Sequence, residues 1–247
     1  MGSCGAPQKG SALKEVREID INLYYQEKGK GTPFVLLHGN GEDSSYFRHQ
    51  IEFFSQRYQV IAVDTRGHGK SPRGAAPFTI GQFAEDLKKL MDRLGIEAAI
   101  LLGFSDGANI GMEFALQYPE KVKALILNGG NLNSKGIKGS IQLPIEIGYR
   151  AAKLFAQKSA KARRNTEMLG LMVHQPNIPP QRLQAIQAPT LVIAGTRDMV
   201  KTAHTQKIAA HIPNARLAIL PGNHFIANQA PEQFNREVAR FLETLVF

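Results

Sequence analysis

The residue in this sequence that points most directly to chemistry is Ser105, in the pentapeptide Gly103-Phe104-Ser105-Asp106-Gly107. This G-x-S-x-G pattern follows an apolar run and precedes a helical pattern, which is the context of a nucleophile elbow. The two glycines allow a tight turn in which larger side chains would clash, and the turn lifts the serine above the carboxyl edge of a sheet. Ser105 is therefore the candidate nucleophile, and the alternative is an incidental glycine-rich turn.

A serine hydroxyl is a weak nucleophile and needs a general base that is itself oriented by an acid. Asp198 follows the apolar run Thr190–Ala194, and His224 follows the run Arg216–Leu220. Because the carboxyl ends of parallel strands share one edge of a sheet, both residues should lie near Ser105. The alternative is a surface aspartate in a turn and a histidine that caps a helix.

The negative charge that develops on an attacked carbonyl needs hydrogen-bond donors. One donor should be the backbone N–H of Asp106, directly after the serine. The other should come from the turn that follows the apolar run Phe34–Leu37, and we expect the N–H of Asn40. His38, in the same turn, lies early in the chain and is expected to pack the loop rather than act as the base.

The elements that must position these residues alternate between strands and helices, which predicts an α/β fold with a mainly parallel sheet. Eight strands are predicted, the first two as an antiparallel pair: Glu15–Ile19, Ile21–Gln26, Phe34–Leu37, Gln59–Val63, Ala99–Leu102, Ala124–Leu127, Thr190–Ala194 and Arg216–Leu220. Helices are predicted at Thr79–Leu94, Asp106–Gln117 and Pro231–Leu245, from apolar residues at three- and four-residue spacing.

One stretch, Asn131–Pro180, breaks the alternation and holds no strand pattern, and its middle, Ile147–Met172, predicts one or two helices. We therefore predict a flexible leader at residues 1–12, a core at residues 13–130 and 181–247, and a helical lid at residues 131–180. Candidate pocket residues are Phe104, Tyr149, Phe155, Met168, Met172 and Phe225, and packing is the alternative for the four of them that lie in the predicted lid.

The charge of the chain is concentrated in the predicted lid. Residues 131–166 hold eight basic side chains and one acidic side chain, Glu146, so this segment carries +7 of the chain's +9. Such a run is typical of a solvated helix face. If its charges instead faced the site, they would raise the local concentration of anionic substrates.

A further motif, the turn Asp64–Ser71, completes a resemblance to the α/β-hydrolase superfamily that covers about Val16 to Phe247. The turn is similar to the family's D-x-R-G-x-G-x-S sequence and is expected to be structural. It also resembles the end of a P-loop, but Asp64 stands where a Walker motif requires glycine, which excludes nucleotide binding. The resemblance implies a mostly parallel eight-stranded sheet with helices on both faces, a small helical lid and no cofactor.

Within that superfamily the sequence resembles the serine-nucleophile, esterase-like branch, and Ser105 followed by Asp106 is similar to the valacyclovir-hydrolase-like group. The chain order of Ser105, Asp198 and His224 is the order of this superfamily. A serine nucleophile and the absence of tryptophan argue against the aspartate-dependent dehalogenases and epoxide hydrolases. A lid of about 50 residues is modest and favours small or medium substrates.

We therefore expect a serine hydrolase that cleaves a small or medium carboxylic ester through an acyl-enzyme. The same triad could instead cleave a lactone, thioester, amide or carbon–carbon bond. A ligand receptor resembling the hydrolase-derived plant hormone receptors, with slow turnover, is the alternative from another class.

Composition limits the remaining classes. The pI of 9.7 is accompanied by no nucleic-acid motif, no group of side chains has metal-ligand spacing, and no apolar run is long enough to span a bilayer. The single cysteine, Cys4, and the absence of an apolar signal segment predict a cytoplasmic location.

Overall fold

The computed structural model describes residues 20–246, and a sheet of seven strands lies at its centre. In chain order the strands are β1 (Tyr25–Lys28), β2 (Pro33–Leu37), β3 (Gln59–Val63), β4 (Ala99–Phe104), β5 (Val122–Asn128), β6 (Thr190–Gly195) and β7 (Ala215–Leu220). Across the sheet the order is β1-β3-β2-β4-β5-β6-β7, with β1 antiparallel to β3 and every other pair parallel. The mostly parallel sheet is confirmed. The strand predicted at Ile21–Gln26 is instead found at Tyr25–Lys28 and pairs with β3, and the predicted strand Glu15–Ile19 lies outside the described residues together with the leader.

Helices cover both faces of this sheet. They are α1 (Arg48–Phe54), α2 (Ile80–Arg93), α3 (Asp106–Gln117), α4 (Gly139–Phe155), α5 (Ala160–His174), α6 (Thr202–His211), α7 (Ile226–Gln229) and α8 (Pro231–Leu242). The predictions for α2, α3 and α8 are confirmed to within three residues at each end. No bounds were predicted for α1, α6 and α7, and the seven residues of α1 and four of α7 are too few to establish a helical period.

Alternation along the strands divides the core into two layers. Val35 and Leu37 of β2 point into a cluster with α2 and α3, whereas Phe34 and Leu36 point into a cluster with α1 and α8. Successive strand residues face opposite sides, so a sheet buried on both faces reads as a continuous apolar run. Because the strands are parallel, their carboxyl ends, and the loops that follow them, meet at one edge.

The segment between β5 and β6 forms two helices over that edge. The helical region predicted here begins at Ile147, but α4 begins at Gly139 and contains Pro144 in its second turn. A proline there removes one intrahelical hydrogen bond, which the early part of a helix tolerates better than its middle. Within residues 20–246, no helix combines the length and the apolar character that crossing a membrane requires.

Candidate functional site

The turn between β4 and α3 holds Ser105 in a strained backbone conformation. Its φ of 54° is the one positive φ of a non-glycine residue within the described part of the chain. A Cβ atom added to Gly103 would lie 2.2 Å from the backbone oxygen of Gly107. One added to Gly107 would lie 1.9 Å from the backbone oxygen of Leu37. Both glycines are therefore needed for α3 to pack this closely on the strands, as the elbow pattern predicted.

Asp198 and His224 meet after the ends of β6 and β7. The His224 Nδ1 lies 2.7 Å from the Asp198 Oδ1, which also accepts a hydrogen bond from the Val200 N–H at 2.9 Å. Both side chains are buried. A carboxylate at Nδ1 favours the tautomer protonated there, and this tautomer leaves Nε2 as a proton acceptor.

Ser105 and His224 line the same small cavity, of about 10 Å³. This volume is close to the minimum that holds one water molecule. Four of the residues that line this cavity were predicted as site residues, namely Ser105, Asp106, Met172 and His224. Five others were not, namely Gly129, Asn131, Ile137, Gln175 and Met199. Asn131 and Met199 could have been found, because each follows closely on the end of a strand at the same edge.

The two residues expected to supply oxyanion donors are joined through their side chains. The Asn40 Nδ2 donates to the Asp106 Oδ2 at 2.9 Å and to the backbone oxygen of Met168, in α5, also at 2.9 Å. The Asn109 Nδ2 donates to the other Asp106 oxygen at 3.1 Å. Outside the hydrogen bonds within helices and strands, the backbone N–H groups of Asn40 and Asp106 donate to no backbone oxygen of residues 20–246.

Two carboxyl groups near His224 have altered acidity. Burial raises the pKa of Asp106, and the hydrogen bonds from Asn40 and Asn109 oppose this effect. Burial also raises the pKa of Glu42 to about 7, although Glu42 accepts a weak hydrogen bond from the Gly39 N–H at 3.3 Å. Glu42 was not among the predicted site residues, because nothing in its local sequence indicates how deeply this loop is buried.

His38 has a structural role in the loop after β2. Its Nδ1 lies 2.7 Å from the Gly39 oxygen, and its Nε2 accepts a hydrogen bond from the Thr65 N–H at 3.0 Å. Burial lowers the pKa of His38, which favours the neutral ring that these two contacts require. The expectation that His38 packs the loop is confirmed.

The turn at residues 64–71 is held by its own side chains. The Asp64 Oδ2 accepts a hydrogen bond from the Lys70 N–H at 2.8 Å, and Ser71 donates to the Asp64 backbone oxygen at 2.6 Å. Arg66 is fully buried and forms an ion pair with Asp86 at 2.7 Å. These contacts confirm the structural interpretation of the motif.

Phe104 and Phe225, the two core residues that were predicted to line the pocket, lie beside the Ser105 cavity and do not line it. Phe104 is buried, and its ring stacks on Tyr46 with centroids 4.4 Å apart. Phe225 is exposed, and its ring centroid is 5.6 Å from that of His224. Phe104 is therefore corrected to a packing residue beneath His224.

Of the four residues proposed from the lid, Met172 alone lines this cavity. Tyr149 packs edge-on against His174 with centroids 5.0 Å apart, and Phe155 is exposed at the end of α4. Met168 lines a separate cavity, between α5 and the turn at residues 67–73. Tyr149 and Phe155 do not line this cavity, since Tyr149 packs against α5 and Phe155 is exposed, and their role in a substrate pocket stays a prediction.

The basic side chains of residues 131–166 face solvent. All eight are exposed, namely Lys135, Lys138, Arg150, Lys153, Lys158, Lys161, Arg163 and Arg164. This arrangement matches the solvated helix face rather than a charged lining of the site. Within residues 20–246, no group of three His, Cys, Asp or Glu side chains is arranged to hold a metal ion.

Comparisons with known proteins agree with this architecture. A family model described as the alpha/beta hydrolase fold matches residues 32–144. The chain is 31% identical over 252 residues, 90% of this chain and 95% of the relative, to a protein of Azorhizobium caulinodans whose name provisionally assigns it as the carbamate hydrolase RutD.

The chain is also 30% identical to the 3-oxoadipate enol-lactonase 2 of Acinetobacter baylyi, with 89% of this chain and 92% of the relative covered. A solved structure of a thermophilic esterase from Thermogutta terrifontis superposes with a TM-score of 0.78 at 22% identity, over 91% of this chain and 94% of that one. At this identity the superposition supports the fold alone.

Proposed function

Since this chain belongs to the α/β-hydrolase family and is an enzyme of that type, we propose that it is a serine hydrolase that cleaves small or medium carboxylic esters. The observation that carries the proposal is the meeting of Ser105 and His224 in one cavity, with Asp198 2.7 Å behind the imidazole. A nucleophile, a base and an orienting acid in this arrangement are the requirements of acyl transfer.

In the proposed reaction the Ser105 Oγ attacks the ester carbonyl, and the His224 Nε2 takes the hydroxyl proton. The resulting oxyanion accepts hydrogen bonds from the N–H groups of Asn40 and Asp106. His224 then protonates the departing alcohol, while Asp198 keeps the imidazole oriented. Water, deprotonated by the same imidazole, finally hydrolyses the acyl-enzyme.

The small cavity bears on the substrate. The cavity beside Ser105 is small, at about 10 Å³, and this size favours a small substrate group next to the serine. Two of the lining residues, Met172 and Met199, have unbranched side chains that repack readily. Small or medium acyl groups are therefore the substrate class that we propose.

A second candidate reaction is lactone hydrolysis, favoured by the similarity to the enol-lactonase of Acinetobacter baylyi. A lactone differs from an ester in that its leaving alcohol stays attached to the acyl group. The same nucleophile, base and oxyanion donors would serve both reactions.

A cytoplasmic location is proposed with this function. Its support is the presence of one cysteine in 247 residues, which suits a reducing compartment. Fractionation of the native host, followed by detection of the protein, tests this location.

The activity is tested with p-nitrophenyl acetate, p-nitrophenyl butyrate and a panel of lactones. We expect multiple turnovers, and a loss of about 10⁴–10⁶ in kcat for Ser105→Ala with an unchanged circular dichroism spectrum. More than about a tenth of the activity in Ser105→Ala would place the nucleophile elsewhere. A single burst with no further turnover would favour a receptor.

A further inference from the structure

The outer face of α4 carries a line of large apolar side chains. Leu143 is 60% exposed, Ile147 59%, Leu154 77% and Phe155 57%. The helical period of 3.6 residues places Leu143, Ile147 and Leu154 within about 40° of one another around the helix axis. We call these four residues the α4 crest.

The crest is not used to pack α4 within this chain. The opposite side of the helix faces α5, where Tyr149 contacts His174 and Gln142 is buried. Burial on that side accounts for the position of α4 and leaves the crest in solvent. Three large apolar residues on one exposed helix face, with Phe155 to one side at the end of α4, need a separate explanation, because isolated exposed apolar residues are common but a continuous patch is not.

Basic residues surround the crest. Arg150 lies between Ile147 and Leu154 along the helix and is exposed. Lys153, also exposed, lies farther around the helix, with its Nζ 5.7 Å from the centroid of the Tyr149 ring. The turn after α4 and the first turn of α5 add Lys158 and Lys161, both exposed, whereas Arg163 and Arg164 line the cavity on the side of α5 that faces residues 67–73. The acidic residue of α4, Glu146, is half-buried and accepts a hydrogen bond from Gln142 at 3.2 Å.

We propose that α4 binds an anionic lipid surface, with the crest at the level of the headgroups and the surrounding lysines and arginines paired with lipid phosphates. An apolar helix face flanked by basic residues is the pattern of helices that lie in a membrane interface. Long basic side chains can lay their aliphatic stems along the apolar surface while their charges reach the headgroups.

The size and shape of the crest favour a lipid surface over a second protein. The four side chains expose on the order of 450 Å², which is a large patch for a monomer but about half of what each partner buries in a standard interface. The crest is also convex and a single helix wide. A protein partner would need a matching groove, whereas a fluid bilayer surface adapts to it.

This docking would orient the molecule. α5 lies over the Ser105 edge, with its Met168 oxygen bound to Asn40, and α4 lies outside α5. A molecule held by α4 would therefore turn the candidate active-site edge toward the lipid. The lipid-binding inference itself does not depend on the proposed esterase activity.

Vesicle flotation tests the inference, with vesicles of pure phosphatidylcholine and vesicles in which about a third of the lipid is phosphatidylglycerol. We expect the protein to float with the anionic vesicles, and binding to weaken as salt rises. The double variant Ile147→Gln with Leu154→Gln should lower the partition constant by at least about tenfold. Arg150→Gln with Lys153→Gln should lower it about thirtyfold.

The matched control is Leu217→Gln with Ile219→Gln, since these two apolar side chains are exposed on the edge strand β7. This variant should bind anionic vesicles like the wild type. Thermal unfolding of each variant verifies that it is folded.

Three results would overturn the inference. One is the absence of flotation with anionic vesicles, and another is binding that the two α4 variants do not weaken. The third is a concentration-dependent dimer, seen without vesicles by light scattering and abolished by the α4 variants, which would identify the crest as a contact between two copies of the chain.

Discussion

A methyl group added at Gly107, in the nucleophile turn, would lie 1.9 Å from a backbone oxygen, whereas one added at Gly139, where α4 begins, would meet no atom within 4 Å. The sheet edge is fixed by backbone packed against backbone, around a strained Ser105. Helix α5 above it is attached to the edge by side-chain contacts, such as Asn40 with the Met168 oxygen and Arg73 with Glu167 at 2.7 Å. Reacting groups need a rigid support, whereas an element that covers them must be able to move to admit a substrate.

The largest difference in kcat between variants of the sheet edge and variants of the segment above it should appear when one carboxylate in each is replaced by its amide. Asp198→Asn should lower kcat about 10³–10⁴-fold, because an amide at this position no longer favours the imidazole tautomer protonated at Nδ1. Glu146→Gln in α4 is the matched control and should leave kcat within about twofold. Steady-state kinetics measure both. Full activity of Asp198→Asn would assign the acid to another carboxylate, with Asp64 the first to examine.

Replacing one glycine by alanine in each region tests how closely the backbone there is packed. Gly107→Ala should reduce the free energy of unfolding by about 3 kcal/mol or more, because the new methyl group forces α3 away from the strands. Gly139→Ala should raise it by up to about 1 kcal/mol, since alanine favours helix and the space is open. Urea unfolding measures both values. Equal changes would show that the two regions do not differ in rigidity.

Asn40 lies where the two regions meet, and Asn40→Ala removes its side-chain bonds to Asp106 and to the Met168 oxygen while keeping its backbone N–H. We expect kcat/KM to fall about tenfold, because the donor loop is no longer tied to Asp106 or α5. Glu167→Gln is the control: it weakens the ion pair of α5 with Arg73 and does not touch the donor loop. An equal fall in both variants would attribute the effect to a loosened α5 rather than to the oxyanion donors.

The last contrast is between Glu42, a half-buried carboxyl at the sheet edge, and the solvent-facing charges of α4. Its pKa in the folded protein is about 7, above its ordinary value of 4.5, because of burial. Between these two pH values the folded protein keeps a proton that the unfolded chain releases, so stability is greatest below the ordinary pKa and falls as pH rises to about 7. The loss should be on the order of 1–3 kcal/mol for this partly exposed group.

Glu42→Gln should remove that loss. Unfolding free energies measured at intervals between about pH 4.5 and pH 8 should decline less in the variant than in the wild type. Parallel curves for the two proteins would show that Glu42 does not titrate in this range.

The strands and the elbow could be predicted from sequence because their signals are local. Gln59–Val63 and Asp106–Gln117 have the predicted bounds, since an apolar run and a helical period are properties of neighbouring residues. The beginning of α4 was misplaced because Pro144 is a local signal against helix that tertiary packing on α5 overrides.

The pocket residues could not be predicted in the same way. Tyr149 and Phe155 have the right residue types, but whether α4 or α5 lies next to Ser105 depends on how two helices stack. Nothing in the spacing of either helix encodes that order.

By itself, the sequence determined which residues could react and at which edge of the sheet they would lie. Residue types, and the position of each residue after the end of a strand, can be identified from neighbouring residues. Tertiary structure alone decided that Asn40 joins Asp106 to α5, that Glu42 is buried, and that the α4 crest is left in solvent. These features arise between segments far apart in sequence. Burial, hydrogen-bond partners and exposure are properties of packed surfaces, and no local pattern carries them.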